Sequence, residues 1–581
     1  MNSETKNCQN CKKDFLIEPD DFAFYEKIKV PAPTFCPECR ARRRFVWRSE
    51  NALYKRKSDY SGNIIFSSFS PESQVKVYEN DFYYSDGWDP LEHGRDYDFS
   101  KPFFEQLVDL FCKVPLPALT VVRTLNSDYC NNVTAAKNCY LVFNTSYVED
   151  SAYSNNINNS HDCVDDSHLQ NCELCYESFW LSHCSKVFFS SQCENSIDIY
   201  FSKNLIGCNN CFACNNLRNK NYYIWNKPCS KEEYFEKLKN FNLSSYKSIN
   251  RLREEAKLFH QKFPNKYIEG TKNIDVSGAY ISGSKHVHDS YLIKEGENLR
   301  YCQYLALPPN KDCYDHTVFG NNNELTYECA CCGLGTNNIK FCGMCYPDVR
   351  GLQYSLFCGS SSDLFGCASL RKKQYCILNK QYSKEEYEAL LPKIIQHMNE
   401  MPYTDKKGVV YKYGEFFPSE FSPFAYNETI AQEHWSLTKE TALTRGYAWR
   451  DVEQKDYKVT LEAVDLPDNS KDISETIVDE IIGCDHNGEC IHQCKKAFKI
   501  ILQEVQFYKK MNLPLPHLCP NCRREERLEQ RHKLKFYNRQ CMCEKTNHGH
   551  EAKCQNEFET SYAPDRPEIV YCESCYNAEV V

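Results

Sequence analysis

Cys8 and Cys11, followed by Cys36 and Cys39, form two Cys-x2-Cys pairs about two dozen residues apart. Thiolates two residues apart on tight knuckles, paired in this way, close a tetrahedral zinc site. The pattern returns near the other end of the chain. Adding 483 to Cys11-Lys12-Lys13, Phe15, Phe24-Tyr25, Pro33, Cys36-Pro37 and Cys39-Arg40 gives Cys494-Lys495-Lys496, Phe498, Phe507-Tyr508, Pro516, Cys519-Pro520 and Cys522-Arg523, without a gap. Cys494, Cys519 and Cys522 are ligands by this offset. Cys490 supplies the fourth through a Cys-x3-Cys knuckle, with Cys484 the alternative. Cys541, Cys554, Cys572 and Cys575 make a last set, whose first knuckle is left ambiguous by an insertion carrying Cys543, His548 and His550. Each set has four protein ligands and no open position for water, so the ions, about three per chain, are expected to be structural.

A second element accompanies each of these modules. Subtracting 493 maps Pro564, Val570-Tyr571 and Tyr576 onto Pro71, Val77-Tyr78 and Tyr83, which places Glu79 and Phe82 where the last set has Cys572 and Cys575. Each end is therefore expected to hold two ribbons. The second N-terminal one carries no ligands and must be held by aromatics such as Phe82, Tyr83, Tyr84 and Trp88.

The elements between the ends have a different signature. Cys130, Ser151, Cys172, Cys193 and Cys214 recur every 21 residues, and so do Val121, Val142, Cys163, Cys184 and Leu205. Small or apolar residues at a fixed period near 20 imply a parallel β-solenoid (β-helix), whose coils stack inward side chains on one another. Five such coils would make a rod roughly 20 to 25 Å long at ~4.8 Å per coil. Asn155-Asn156 and Asn158-Asn159 suit its corners, because Asn tolerates left-handed backbone angles. The stretch from Leu217 to Tyr234 recurs 153 residues later, from Leu370 to Tyr387, so the middle reads as a tandem pair. In both copies Ser-Lys-Glu-Glu is a capping box that opens a helix, about 231–261 and 384–399. The cysteines from Cys302 to Cys367 keep no single spacing, which implies coils of unequal length. Cys208, Cys211 and Cys214, and Cys329, Cys332, Cys342 and Cys345, are read as stacked core thiols in preference to metal or iron–sulfur ligands, because free cysteine packs as a small apolar residue.

The expected architecture is mainly β: two tandem parallel β-solenoid domains with helical caps, flanked by zinc-ribbon modules. The bounds are 1–95 for the N-terminal ribbon pair, 96–229 for the first solenoid, 230–270 for its cap and linker, 271–382 for the second solenoid, 383–480 for its cap and a mixed linker, and 481–581 for the C-terminal pair.

Cys494-Lys-Lys-Ala-Phe-Lys-Ile, Leu513-Pro-Leu-Pro, Cys519-Pro-Asn-Cys-Arg and Tyr562-Ala-Pro-Asp-Arg-Pro-Glu-Ile-Val-Tyr-Cys-Glu-Ser-Cys-Tyr resemble a group of uncharacterised zinc-ribbon-containing proteins from uncultivated bacteria. Tyr413-Gly-Glu-Phe-Phe-Pro, Ser422-Pro-Phe-Ala-Tyr-Asn-Glu-Thr and Arg445-Gly-Tyr-Ala-Trp-Arg extend the resemblance over nearly the whole chain. It implies zinc binding and carries no established activity. This chain departs from the group at Ser58, Ser61, Glu79 and Phe82, where the group's members often look metal-ligated.

The net charge of −9 is unevenly spread. Between Cys36 and Lys57 eight cations face two acids, and from Cys519 to Arg539 seven face three. Arg40, Arg42, Arg43, Arg44, Arg48, Arg523, Arg524 and Arg527 are thus expected to meet RNA, a ribonucleoprotein or an acidic protein. A polar N-terminus and the absence of an unbroken apolar stretch imply no secretion signal and no membrane span. With 36 cysteines at metal-ligand rather than disulfide-framework spacing, the expected compartment is the reducing cytoplasm. A non-enzymatic zinc-binding scaffold fits these features. The competing reading is a polysaccharide hydrolase or lyase in a solenoid groove, with Asp162, Asp165, Asp166, His286, His288, Asp289, Asp315 and His316 as its candidates.

Overall fold

Every third side chain from Cys130 to Cys214 is buried. Each is followed by an extended residue and then by one with φ between 46° and 64°. This three-residue unit is the building block of the fold, seen here in a computed structural model that describes residues 2–451 and 457–580. Residues 452–456 of the expected 383–480 segment, and the two terminal residues, lie outside the described residues. A left-handed step costs a non-glycine residue about 1–2 kcal/mol. Repeated every third residue, it turns the chain by a side at a time until four units close a coil. Parallel pairing then stacks Asn131, Phe143, Asn155, Ser167, Phe179 and Ser191, each 12 residues after the last.

Backbone bonds between coils offset the corner strain. The left-handed residue donates back one coil, as in Asn138 N–H to Leu125 O at 2.9 Å and Asp150 N–H to Lys137 O at 3.0 Å. The residue before it donates forward, as in Ala152 N–H to Cys163 O at 3.0 Å. Asn156 and Asn159 occupy such corners. Other corner asparagines also bond along the rod through their amides: Asn126 donates to Asn138 at 3.1 Å and Asn138 to Asp150 at 2.9 Å.

The fold is thus mainly β with a parallel β-solenoid, but its period differs from the expected one. Both 21 and 12 are multiples of three, so Cys130 and Ser151 do both point inward. They lie on different sides of different coils, and the residue stacked after Cys130 is Val142. Residues 121–224 accordingly make nearly nine coils rather than five, roughly 40 Å at ~4.8 Å per coil. In 274–377 the coils are unequal: 12 residues from Lys285 to Glu297, 14 from Gly296 to Asn310, 13 from Asn310 to Asn323 and 12 from Ser362 to Gln374.

Inward cysteines behave as small satisfied core residues. Cys172 Sγ donates to Gln170 O and Cys329 Sγ to Tyr327 O, both at 3.3 Å. Inward serines make the same bond, for example Ser196 Oγ to Glu194 O at 2.8 Å. Burial pushes the Cys130 and Cys193 thiols up to about 12, which keeps them protonated.

Capping boxes at Ser230 and Ser383 open the helices Lys231–Asn240 and Lys384–Glu400, and the first cap continues as a second helix, Tyr246–His260. Tyr234 packs on Tyr222 and Tyr387 on Tyr375, each pair with ring centroids 5.8 Å apart, so each cap covers the last coil of its run.

The end modules dock crosswise. Val77–Tyr78 of the N-terminal module pairs in parallel with Leu116–Pro117, where the first run begins, and Val570–Tyr571 pairs with Asn265–Lys266 before the second. The basic helix Pro37–Phe45 of the N-terminal module lies against the second run, and its counterpart Pro520–Glu529 lies against the first. Each module therefore starts one run and grips the other.

Candidate metal centres

Two short strands, Glu4–Asn7 and Asp14–Ile17, pair antiparallel and bend at Cys8 and Cys11, with Lys12 left-handed at φ 62°. The second knuckle runs into the helix Pro37–Phe45, for which Cys36 is the N-cap and Pro37 the first residue. Proline is preorganised there, and the helix start aims free N–H groups at the thiolates. The Sγ atoms of Cys8, Cys11, Cys36 and Cys39 all lie within 4.8 Å of one another. Cys11 and Cys36 are 3.7 Å apart, close to the ~3.8 Å separation of two thiolates each 2.3 Å from a tetrahedral zinc. Hydrogen bonds from Cys36 and Cys39 hold Cys8 below the usual thiol range, while Cys36, as a donor to its neighbours, is pushed up, so the crowded thiols share their protons unequally.

In the C-terminal copy the set is Cys484, Cys494, Cys519 and Cys522. Cys490 is corrected here: Cys484, not Cys490, occupies the place of Cys8. Its N–H bonds Lys496 O at 2.8 Å as Cys8 N–H bonds Lys13 O at 2.9 Å, and its Sγ accepts from Cys519 N–H at 3.2 Å as Cys8 Sγ accepts from Cys36 N–H at 3.3 Å. The knuckle has been opened, with residues 485–493 looping out between its two thiols, and Cys490 rides on that loop. The last ribbon gathers Cys541, Cys554, Cys572 and Cys575. Desolvation raises the Cys572 thiol, but hydrogen bonds from Ser574 and Asn556 outweigh this and bring it down to about 6. These sets fit zinc: all-thiolate, four ligands each, and largely buried.

The second N-terminal ribbon repeats the backbone without the ligands. Ser58 N–H bonds Asn63 O at 2.9 Å, matching Cys541 N–H to Asn556 O at 2.8 Å. Ser58 Oγ donates to Glu79, and Tyr60 stacks on Phe82 at 3.4 Å. Trp88 packs between Tyr78 and Tyr83, and the Arg371 guanidinium lies over Tyr83, Tyr84 and Trp88.

The arginines expected to face a partner are turned inward. Arg40 Nε and Arg44 Nη1 donate to the two carboxylate oxygens of Asp315, at 2.9 and 3.0 Å. Arg523 Nη1 and Arg527 Nη1 do the same to Asp165, both at 2.7 Å. Arg43 bridges Glu328 at 2.8 Å and Glu415 at 2.9 Å. Burial pushes the Glu328 carboxyl up, and Arg43 and Arg44 oppose that shift. Arg48 donates to Asn132 and Asn144 on the first run, both at 2.9 Å, and Arg531 donates to Tyr304 of the second at 2.9 Å. Arg42 and Arg524 are half-buried, on Glu38 and Trp435 and on Glu433 and Glu525 respectively. The expectation that these eight arginines form a partner face is therefore corrected: a helix packed on a solenoid side leaves its basic stripe facing the coil's acids.

Of the catalytic candidates, Asp165 and Asp315 are held by these arginines. Asp166 accepts from Ser178 N–H inside the rod at 2.7 Å, and burial pushes its carboxyl well up. His316 is buried between Thr326 Oγ1 at 2.7 Å and Cys332 O at 2.9 Å. Asp289 pairs with Arg300 at 3.2 Å, and Asp162 with His161 at 3.3 Å. His286 and His288 are near the surface and share Asp275, at 2.8 and 3.4 Å. Asp275, one coil before His286, sits in no motif that marks it in the sequence. Glu433 is likewise unmarked by sequence; its burial is outweighed by Arg524 and Arg531, which leave its carboxyl at about 2. Among the described residues, no helix is long and apolar enough to cross a membrane.

Comparisons with protein-family models, with curated proteins and with solved structures found no match for this chain.

Proposed function

We propose that the chain is a non-enzymatic scaffold whose two solenoid runs, read as a tandem duplication, are held in one frame by zinc-stapled clamps. The observation that carries this reading is the doubled Arg–Asp–Arg grip on Asp165 and Asp315. It commits both terminal modules to internal contacts, which supports a structural role for ions bound in their cysteine clusters. A cytoplasmic setting agrees with cysteines that are all unpaired among the described residues.

With the arginines spent internally, contact with RNA, a ribonucleoprotein or an acidic protein passes to the lysines that follow each basic helix. Lys55, Lys57, Lys533 and Lys535 are exposed, and Lys535 lies 4.9 Å from the Tyr537 ring. Fluorescence anisotropy with a single-stranded RNA at two salt concentrations tests the nucleic-acid arm. Binding that weakens with salt and is lost when the four lysines become Glu supports it, whereas no binding at low salt removes RNA from the candidates.

The hydrolase or lyase reading is favoured by one feature, the His286–Asp275–His288 cluster. Glycoside cleavage calls for two facing carboxylates, and Asp275 sits between two histidines. Turnover of a polysaccharide that D275N abolishes without unfolding the chain would overturn the scaffold.

A further inference from the structure

The two C-terminal ribbons each carry an insertion in the first knuckle, between Cys484 and Cys494 and between Cys541 and Cys554. Both insertions hold one cysteine and two histidines: His486, Cys490 and His492 in the first, Cys543, His548 and His550 in the second. In the first, the ligand atoms of His486, Cys490, His492 and Cys522 all lie within 4.8 Å of one another. Cys522 is already a member of the tetrathiolate set. Cys490 Sγ is 3.7 Å from Cys522 Sγ, again the edge of a zinc tetrahedron.

The histidines are oriented as ligands. His486 Nδ1 and His492 Nδ1 are buried and have no hydrogen-bond partner among the described residues. Their Nε2 atoms turn the other way, toward Glu526 at 4.0 Å and Glu529 at 3.4 Å on the helix Pro520–Glu529. A carboxylate behind an imidazole fixes its tautomer and raises the basicity of the nitrogen facing the metal. The second insertion repeats the arrangement in part. Cys543, His548 and Cys575 form a three-residue cluster in which His548 Nδ1 is 3.2 Å from Cys543 Sγ and His548 Nε2 faces Glu579 at 3.4 Å; His550 stands outside that cluster, with its Nε2 3.4 Å from Cys575 Sγ. Cys575, like Cys522, is the last cysteine of its own tetrathiolate set.

The N-terminal module shows what stands there without the insertion. Cys39, the counterpart of Cys522, accepts from the Asn10 side-chain amide at 3.3 Å. Charge favours a second ion where the insertion is present. Four thiolates around one Zn²⁺ leave a net charge of −2, and adding a second Zn²⁺ with one more thiolate and two neutral imidazoles brings the centre to −1.

We propose that each C-terminal ribbon binds a thiolate-bridged pair of zinc ions. Cys522 bridges the tetrathiolate site to a Cys490–His486–His492 site, and Cys575 bridges its own to a site of Cys543, His548 and His550. This rests on zinc filling the tetrathiolate sets, and the ion count separates the two claims. Native mass spectrometry of the zinc-loaded full chain, dialysed free of excess metal, is expected to find five ions. Three would overturn the bridged pairs and leave the tetrathiolate sites standing, whereas two or fewer would overturn both. C490S with H492Q should lose one ion, C543S with H548Q another, and the four changes together should leave three, since no tetrathiolate ligand is touched. A count that stays at five in these variants would place the extra ions elsewhere and overturn the proposal. Cobalt provides a second readout. Two Co²⁺ ions sharing a thiolate couple magnetically, so the wild-type chain should show a lower moment per ion than the fourfold variant, and equal moments would count against a bridge.

Discussion

Asp165 and Asp315 have almost no solvent exposure, and each accepts hydrogen bonds from two guanidiniums one helical turn apart. Removing one partner of such a buried pair costs about 3–5 kcal/mol, because the other charge is left dry and unpaired. D165A should therefore lower the urea stability of the zinc-loaded protein by that amount, since Glu504 is 3.5 Å from Arg523 and replaces only part of the grip. A loss under ~1 kcal/mol would mean the clamp contributes little net stability. His434 belongs to the same scale. Burial, then the charge of Arg531, push its imidazole from the usual 6.5 down to about 3, and its Nε2 meets Tyr304 Oη at 2.7 Å. Between those two pH values the unfolded chain binds a proton that the folded one refuses. The His434 contribution is thus complete above pH 6.5 and is lost as pH falls toward 3, at about 1.4 kcal/mol per unit. H434Q should flatten the fall in stability between pH 6 and 5 by about that slope in denaturant titrations at fixed zinc; parallel curves would refute the assignment.

At the scale of the element, the three-residue unit explains why cysteine, serine and valine share inward positions. Each is small, and Cys and Ser satisfy their donor on the carbonyl two residues back. C193S should cost less than ~1.5 kcal/mol and leave the zinc count unchanged, because the hydroxyl takes over the bond from Cys193 Sγ to Ser191 O. C193L forces extra carbon atoms into the same coil and should cost about 1–3 kcal/mol or more. Corners follow the opposite rule, since backbone conformation decides there. Asn156 sits at φ 56° and accepts from the Asn144 amide. N156V puts a β-branched residue in the left-handed region and should lower the melting temperature more than N156G does; equal losses would place the cost in the side-chain bond.

At the scale of the molecule, each terminal module closes the start of one run and grips the other, so the cysteine knuckles set the position of both runs. Cys36 and Cys519 are the N-caps of the two gripping helices, so an ion held by either cysteine cluster would fix where its helix begins. Chelation should free the helices together with their knuckles, because binding free energy here is folding free energy. Hydrogen exchange should then rise at Asn310–Thr317, the strand that carries Asp315, and around Tyr153 and Asp165, the corners that Arg523 and Arg527 hold, while the rod interiors stay protected. Unchanged exchange at both places after metal removal would show that the frame stands without its staples.

Much of the local chemistry was legible in the residues alone. Knuckle spacing, the two capping boxes, the asparagine corners and the aromatic packing around Phe82 and Trp88 all depend on neighbours within a few tens of residues. The coil length was not legible, because apolar and small polar residues are mixed irregularly at the inward positions, so a three-residue period shows through whichever of its multiples happens to repeat one residue type. Cys484 and Cys490 both lay within reach of the knuckle, and the backbone bond to Lys496 O decided between them. The arginines were misread for a related reason: composition reports a basic stripe but not what it faces. Asp165 and Asp315 are two of 79 acidic residues, hundreds of positions away from the helices they hold. Only the crosswise packing of the modules, which buries those charges in a low-dielectric seam, brings them together.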